Sequence, residues 1–454
     1  MNQDTSIPSP PISRDPARTA RSAMFIVFLV VFIDLLGFGI VLPLLPLYAS
    51  YLLTPLFPDN PERVGAVLAA MMASFSLMQF IFAPIWGRIS DRIGRRPILL
   101  LGLAGSVVFY GLFAYASHLG FAGYPALAVV LILISRIGAG IAGATISTAQ
   151  AVIADSTTLE NRSRGMALIG AAFGIGFTFG PLLCFASFFV ESKAAPGIMA
   201  ALLSLIALIL AIRLLPETLR TGVGEAGRRQ WLKFGILWQT LQMPAIGSLI
   251  LTFFLATVAF GCLESTLALV NQFLLTGGST VHKMTEMPLE ELDNVFRKSS
   301  LIFAFVGFTL MLVQGLFYRR FVHRVGEVRF MRAGTLLMLL GLGGVIATMT
   351  AVAHGWLGQS WQTIPIALCI LAVLVTGFAL MTPSVQALIS KKADPARQGE
   401  ILGANQSASA LARILGPAIG SALFFVDRAH ILPYVVGASL MAVVFLLTLR
   451  LRQD

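Results

Sequence analysis

The chain has 454 residues, 57% hydrophobic and only 12% charged, with mean hydropathy +0.85 and a formal net charge of +11. Soluble domains usually carry about 25% charged residues, so a water-soluble globular fold is excluded. Apolar stretches near the length of a bilayer core recur along the whole sequence, and the alternation expected of an outer-membrane barrel is absent. The composition describes an all-α polytopic membrane protein.

Residues 1–21, rich in Pro, Ser and Arg, read as a disordered tail. Twelve spans follow, near 24–48, 65–86, 97–117, 125–150, 166–190, 196–214, 243–272, 299–318, 330–352, 364–388, 401–426 and 431–449. The first is about 25 apolar residues long, too long for a signal-peptide core, and no A-x-A-like site follows it. With this threading, 24 of the 32 Lys and Arg fall on the side of the N-terminus and six on the other, while Arg136 and Arg413 lie within spans. That asymmetry places both termini in the cytoplasm. It also makes the basicity topological, so no nucleic-acid partner is expected.

The first span, FLVVFIDLLGFGIVLPLLPLY, carries Asp34. A charge at that depth costs roughly 2.5–3.5 kcal/mol on insertion scales and marks a functional pathway by default. GRISDRIGRRP (87–97) joins the second and third spans. Its Gly87 and Gly94 predict a tight turn between packed helices, and Asp91 among Arg88, Arg92, Arg95 and Arg96 suggests an ionic latch. The fourth span, LISRIGAGIAGATISTAQAVIAD, formally contains G-x-G-x-x-G. No strand precedes it, so a dinucleotide site is rejected and close helix packing is expected instead. Arg136 in this span cannot neutralise itself and needs a partner, for which Asp34 is the obvious candidate. In the fifth span, Gly176, Gly180 and Pro181 predict a close helix contact and a bend.

Arg213–Lys233 is the best linker and divides the spans six and six. The halves are then residues 22–214 and 243–450, with a cytoplasmic linker at 215–242. Glu264 in the seventh span is either a cavity-facing group or one near the outer helix end. MTEMPLEELDNVFRKSS (284–300) reads as an external amphipathic helix and structural lid before the eighth span. Arg413 in the eleventh span is positioned to pair with Glu264 or to meet an anionic substrate. Gln150, Gln272, Gln314 and Gln386 supply polarity for a cavity or for hydrogen bonds between helices. Cys184, Cys262 and Cys369 all fall in spans and read as buried free thiols. His282 and His323 have no ligand-spaced neighbours, so no metal is expected, and no cofactor is implied.

The second half repeats the first. Aligning Gly94 with Gly326 puts Gly102 on Gly334 and Arg88 on Arg320; Gly180-Pro181 falls on Gly416-Pro417, and Asp34 falls near Glu264. Repeated halves are a common transporter design, with the binding site at their interface near the midplane.

GRISDRIGRRP resembles the G-x-x-x-D-R-x-G-R-R loop of the major facilitator superfamily. That resemblance implies two pseudo-symmetric six-helix bundles, usually monomeric, locked together by this loop at the cytoplasmic side. It would pair Arg92 with Asp155 and set Asp91 against the N-terminus of the eleventh helix. IDLLGFGIVLPLLP, SDRIGRRPILLL and GATISTAQAVIAD are similar to the drug:H⁺ antiporters, nearest the tetracycline-efflux branch. The G-x-x-x-G-P element of the fifth span is also theirs, though Cys184 and Phe185 stand where final glycines belong. LVQGLFYRRF and ALARILGP look more like the eukaryotic tetracycline-transporter-like proteins, associated with organic-anion efflux.

These readings converge on a secondary transporter in a plasma or inner membrane. It would export small amphipathic drugs or organic anions in exchange for protons, with Asp34, Arg136 and Glu264 as coupling groups. A proton symporter or uniporter of sugars or organic acids is the alternative, and a non-transporting receptor is more remote. No Walker A, H-E-x-x-H or suitably placed G-x-S-x-G sequence occurs, so neither ATP-driven transport by this chain alone nor an enzyme is expected.

Overall fold

The computed structural model describes residues 16–156, 162–190, 192–218, 242–275, 289–357, 360–392, 398–427 and 429–449. The first span is two helices, α1 (Pro16–Val41) and α2 (Leu45–Leu53), followed by α3 (Pro61–Ile93) and α4 (Arg95–Phe121). The fourth span is also broken, into α5 (Pro125–Ala142) and α6 (Ile146–Ser156), before α7 (Arg162–Ser187) and α8 (Ala195–Leu214). The second half holds α9 (Pro244–Leu275) and α10 (Leu289–Leu312), which continues through a π-helical segment, Val313–Tyr318, into α11 (Arg319–Val325). It ends with α12 (Glu327–Ala353), α13 (Ser360–Lys392), α14 (Gln398–Phe424) and α15 (Leu432–Leu449). Among the described residues, eleven segments are long and apolar enough to cross a membrane; the fifth expected span, α7, is helical throughout, with Ile175–Ser187 as its shorter apolar stretch. Helix α1 begins at Pro16, inside the expected tail 1–21, because proline suits the first helical position. Residues 1–15 and 219–241, which hold the rest of the tail and most of the linker, lie outside the described residues, as do 284–288 of the expected lid.

The repeat is visible in backbone and contacts. Gly94 (φ 111°) and Gly326 (φ 86°) make equivalent corners, 232 residues apart, each capping the next helix. The same offset relates Gly123 (φ 99°) with exposed Tyr124 to Gly355 (φ 75°) with exposed Trp356, at the end of the molecule opposite the arginine-rich corners, here the far end. At all four corners the φ lies where only glycine is unstrained. A Cβ at Gly39 would lie 3.1 Å from Gly180 Cα and 3.4 Å from Pro181 Cδ; one at Gly261 would lie 3.1 Å from Gly416 Cα and 3.2 Å from Pro417 Cδ. The first and fifth spans thus cross as the seventh and eleventh do. Gly102 and Gly334 are likewise equivalent, packing against the Ala142 and Gly377 carbonyl oxygens of the fourth and tenth spans. Glycine lets each pair approach to backbone contact, which supplies dispersion where lipid removes the hydrophobic drive.

The halves meet along two seams, α3 with α14 and α7 with α10. On α3 the buried positions run from Val64 to Phe75 and resume only at Ser90 beneath Arg95; Leu77, Ile81 and Ile85 between them are exposed. On α10 burial stops at Gly307, and Gln314 to Phe317 in the π-helical segment are all exposed. The largest apolar core spans both halves, joining Tyr48, Leu68 and Met71 of the first to Phe296, Phe303 and Phe424 of the second. The cleft between the halves is therefore shut at the far end and open at the arginine-rich end.

Candidate functional site

The arginine-rich corner forms differently from the expectation. Helix α3 runs on to Ile93, so Gly87 lies inside a helix and only Gly94 makes the turn. Arg92 stays in the last turn of α3 and is exposed, where the helix dipole favours a cation. Arg95, the first residue after the corner, replaces it as the partner of Asp155: Arg95 Nε lies 3.2 Å from Asp155 Oδ2, and its Nη1 donates to Ser90 Oγ at 2.8 Å. The sequence reading also passed over Glu217. Its carboxylate accepts the backbone N–H groups of Arg95 (2.9 Å) and Arg96 (3.1 Å), capping α4, while Arg96 Nη2 donates to Ile212 O at 2.6 Å. An acid directly after Pro216, just past the end of α8 in a basic stretch, was the available signal. None of these contacts reaches the second half.

The second half has the same arrangement with the charges exchanged. Glu327, the first residue after Gly326, pairs with Lys391 near the end of the tenth span. Glu327 is 232 residues after Arg95, and Lys391 is 236 after Asp155. The offsets were already in the alignment, but the reversed signs hid the equivalence.

Midway along the first half, Arg136 is 4% exposed, with its guanidinium carbon 4.4 Å from the Phe75 ring centroid and 5.8 Å from that of Phe38. Its charge thus faces the aromatic faces of two neighbouring spans, which attract a desolvated cation. Tyr110 is in electrostatic reach. Asp34 lies on α1, but its side chain, like those of Asp91 and Gln150, lies outside the described residues.

In the second half, Glu264 of α9 and Arg413 of α14 interact electrostatically, and Arg413 Nη1 donates to Ser409 Oγ at 3.1 Å. Arg413 is exposed and Glu264 partly buried. Asp34 and Glu264 are not equivalent, contrary to the 230-residue alignment. Asp34 precedes the Gly39 crossing by five residues, whereas Glu264 follows the Gly261 crossing by three. Eight residues of helix separate their levels by about 12 Å. Their charged chemistry is similar, so sequence alignment matched them; the glycine contacts set the true register.

The glutamines divide. Gln314 and Gln386 are exposed, whereas Gln272 is 1% exposed and sits in the core, not on an open wall. The fourth-span break explains Gln79 and Trp86: Gln79 Nε2 donates to Gly143 O at 3.2 Å and Trp86 Nε1 to Ile141 O at 2.8 Å. Both carbonyls flank the interruption, which a neighbouring helix must satisfy in the absence of water. Gly176, Gly180 and Pro181 form the α1 crossing, yet α7 continues through Pro181 without a break. Cys184 and Cys262 are buried, but Cys369 is exposed on α13, so one of the three thiols departs from expectation. Among the described residues, no group of three or more His, Cys, Asp or Glu is placed to hold a metal.

Comparison with known proteins fits this architecture. The sequence profile described as Major Facilitator Superfamily matches residues 27–417 and 284–454. The chain is 29% identical to the Bos taurus protein named major facilitator superfamily domain-containing protein 10, covering 96% of this chain and 94% of that one. It is 31% identical to tetracycline resistance protein, class G, of Vibrio anguillarum, covering 89% and 91%. The crystal structure of the human organic anion transporter MFSD10 (TETRAN) superposes with a TM-score of 0.61 at 26% identity, covering 97% of this chain and all of that one.

Proposed function

The chain belongs to the Major Facilitator Superfamily, and from that premise we propose that it exports small amphipathic molecules, drug-like or organic-anionic, in exchange for protons. The observation that carries the reading is a cleft between two repeated halves, closed at one end and open at the other, with ionisable groups on the helices around it. Such a cleft is the geometry of alternating access. One relative is named for tetracycline resistance and another as an organic anion transporter, which supports export and an amphipathic cargo. Arg413, exposed on α14 and steadied by Ser409, supplies a cation for an anionic cargo.

In this mechanism Asp34 and Glu264 carry protons at different depths, and Arg136 and Arg413 tune them. Burial disfavours a carboxylate's charged form and a nearby arginine favours it, so an acid facing both influences is poised to exchange its proton as the surroundings rehydrate. Protonation and cargo then compete for the same open state. The chain works as a monomer in a plasma or inner membrane, with the arginine-rich end and both termini in the cytoplasm.

The test is the pH gradient across energised inside-out vesicles as organic anions and amphipathic cations are added in turn. A cargo-dependent collapse, present in the native chain and absent in Asp34→Asn, is the expected result. Labelled solute crossing with no change in the gradient would sink proton exchange and favour a uniporter, whereas full coupled activity in Asp34→Asn would remove that residue from the path.

A further inference from the structure

At the far end of the cleft, charged and polar side chains join the two halves. Asp293, Phe296, Arg297 and Ser300 recur at i, i+3, i+4 and i+7 on α10, a spacing that places them along one face of the helix. Each meets the first half. Asp293 forms an ion pair with Lys193, on the turn between α7 and α8, with the two side chains only 29% and 15% exposed. Tyr48 of α2 donates its hydroxyl to Lys193 O at 2.9 Å, which fixes the backbone that carries the cation. Arg297 Nη2 donates to Phe188 O at 3.0 Å, and its guanidinium lies 5.6 Å from the Phe189 ring centroid. Ser300 Oγ donates to Cys184 Sγ at 3.1 Å, and the Phe296 ring sits 5.1 Å from that of Tyr48.

We propose that the Lys193–Asp293 pair, on this stripe of α10, is the gate that holds the far end of the transport path shut while the arginine-rich end is open. Three features separate it from surface charge pairing. It crosses between halves, unlike the Arg95–Asp155 and Glu327–Lys391 pairs. It is largely withdrawn from solvent, where truncating one partner of a charge pair leaves the other uncompensated. And its neighbours along the helix make independent contacts to the same opposing surface, so the face releases as a unit. The inference rests on the transport reading, because a gate requires a path.

The buried thiol of Cys184 reports the gate directly. Full-length protein carrying Cys262→Ala and Cys369→Ala, reconstituted in liposomes, is treated with a membrane-impermeant maleimide from the far side. Cys184 should label slowly in this parent, at least about tenfold faster in Lys193→Ala and in Asp293→Asn, and again slowly when Lys193→Asp and Asp293→Lys are combined. Asp293→Glu, which keeps the charge, should label as the parent does and identifies variants that merely misfold. Unchanged labelling in the single variants, or a charge swap that labels as fast as they do, would overturn the gate. Labelling needs no cargo, so a failure of coupled export leaves this outcome separately readable.

Discussion

Gly180 and Gly39 press backbone on backbone: a Cβ at Gly180 would lie 2.7 Å from Gly39 Cα and 3.1 Å from Leu36 O. Neither neighbour is a flexible side chain, so Gly180→Ala forces the first and fifth spans apart. Overpacking of this kind costs typically about 1–3 kcal/mol, and thermal unfolding of the purified protein should show the loss. Gly416→Ala should behave the same way, because its Cβ would meet Val258 O at 2.9 Å and Gly261 Cα at 3.0 Å. Gly343→Ala is the control, with nothing within 4 Å, and should be neutral or slightly stabilising in a helix interior. The glycines that matter were legible in the sequence through their spacing with proline. The partner of Asp155 was not, because choosing Arg95 over Arg92 depends on where one positive-φ residue turns the chain.

Among the elements, the broken fourth span is the most dependent on its neighbour. Gln79 and Trp86, both on α3, hold the carbonyls of Gly143 and Ile141 beside the break. Losing such a bond costs about 0.5–1.5 kcal/mol, and more where the acceptor is left without a partner. Ile141 O also accepts the Ala144 N–H at 3.4 Å, so Gln79→Leu should lower the unfolding temperature and Trp86→Phe should lower it less. Faster amide exchange in Ile146–Ser156 should accompany the drop, and unchanged exchange there would show that the break stands without them. The two effects should not add, since both bonds support one interruption. The helical passes could be read from hydropathy because each carries an apolar run long enough to cross the bilayer core. Breaks are invisible to that signal: ATIST (144–148) continues a run of small residues as a helix would, and the deciding hydrogen bonds come from 55 and 64 residues away.

For the whole molecule, the gradient of burial along α3 and α10 sets which end admits solvent. With Cys262→Ala and Cys369→Ala leaving only buried Cys184 of the native thiols, Gln314→Cys and Gln386→Cys should react with an impermeant thiol reagent supplied at the arginine-rich end and not at the far end. Labelling of either from the far side alone would reverse the assigned opening. The two-half architecture was legible from the Gly94–Gly326 and Gly102–Gly334 correspondences, which the backbone corners and helix contacts reproduce. The relative level of Asp34 and Glu264 was not, since two acids in matching spans look equivalent until the crossing point is known.

The charge-exchanged pairs carry a consequence for membrane voltage. A single charge moved across 100 mV exchanges about 2.3 kcal/mol with the field. Arg95 and Asp155 belong to one half, and Glu327 and Lys391 to the other. When the halves rock, each pair travels as a neutral doublet, and its two contributions to the displaced charge cancel. These four ionised groups at the mouth of the path therefore add almost nothing to the electrical work of reorientation. Whatever current accompanies a turnover is left to the cargo and to the ions that move with it, and its sign reports their balance.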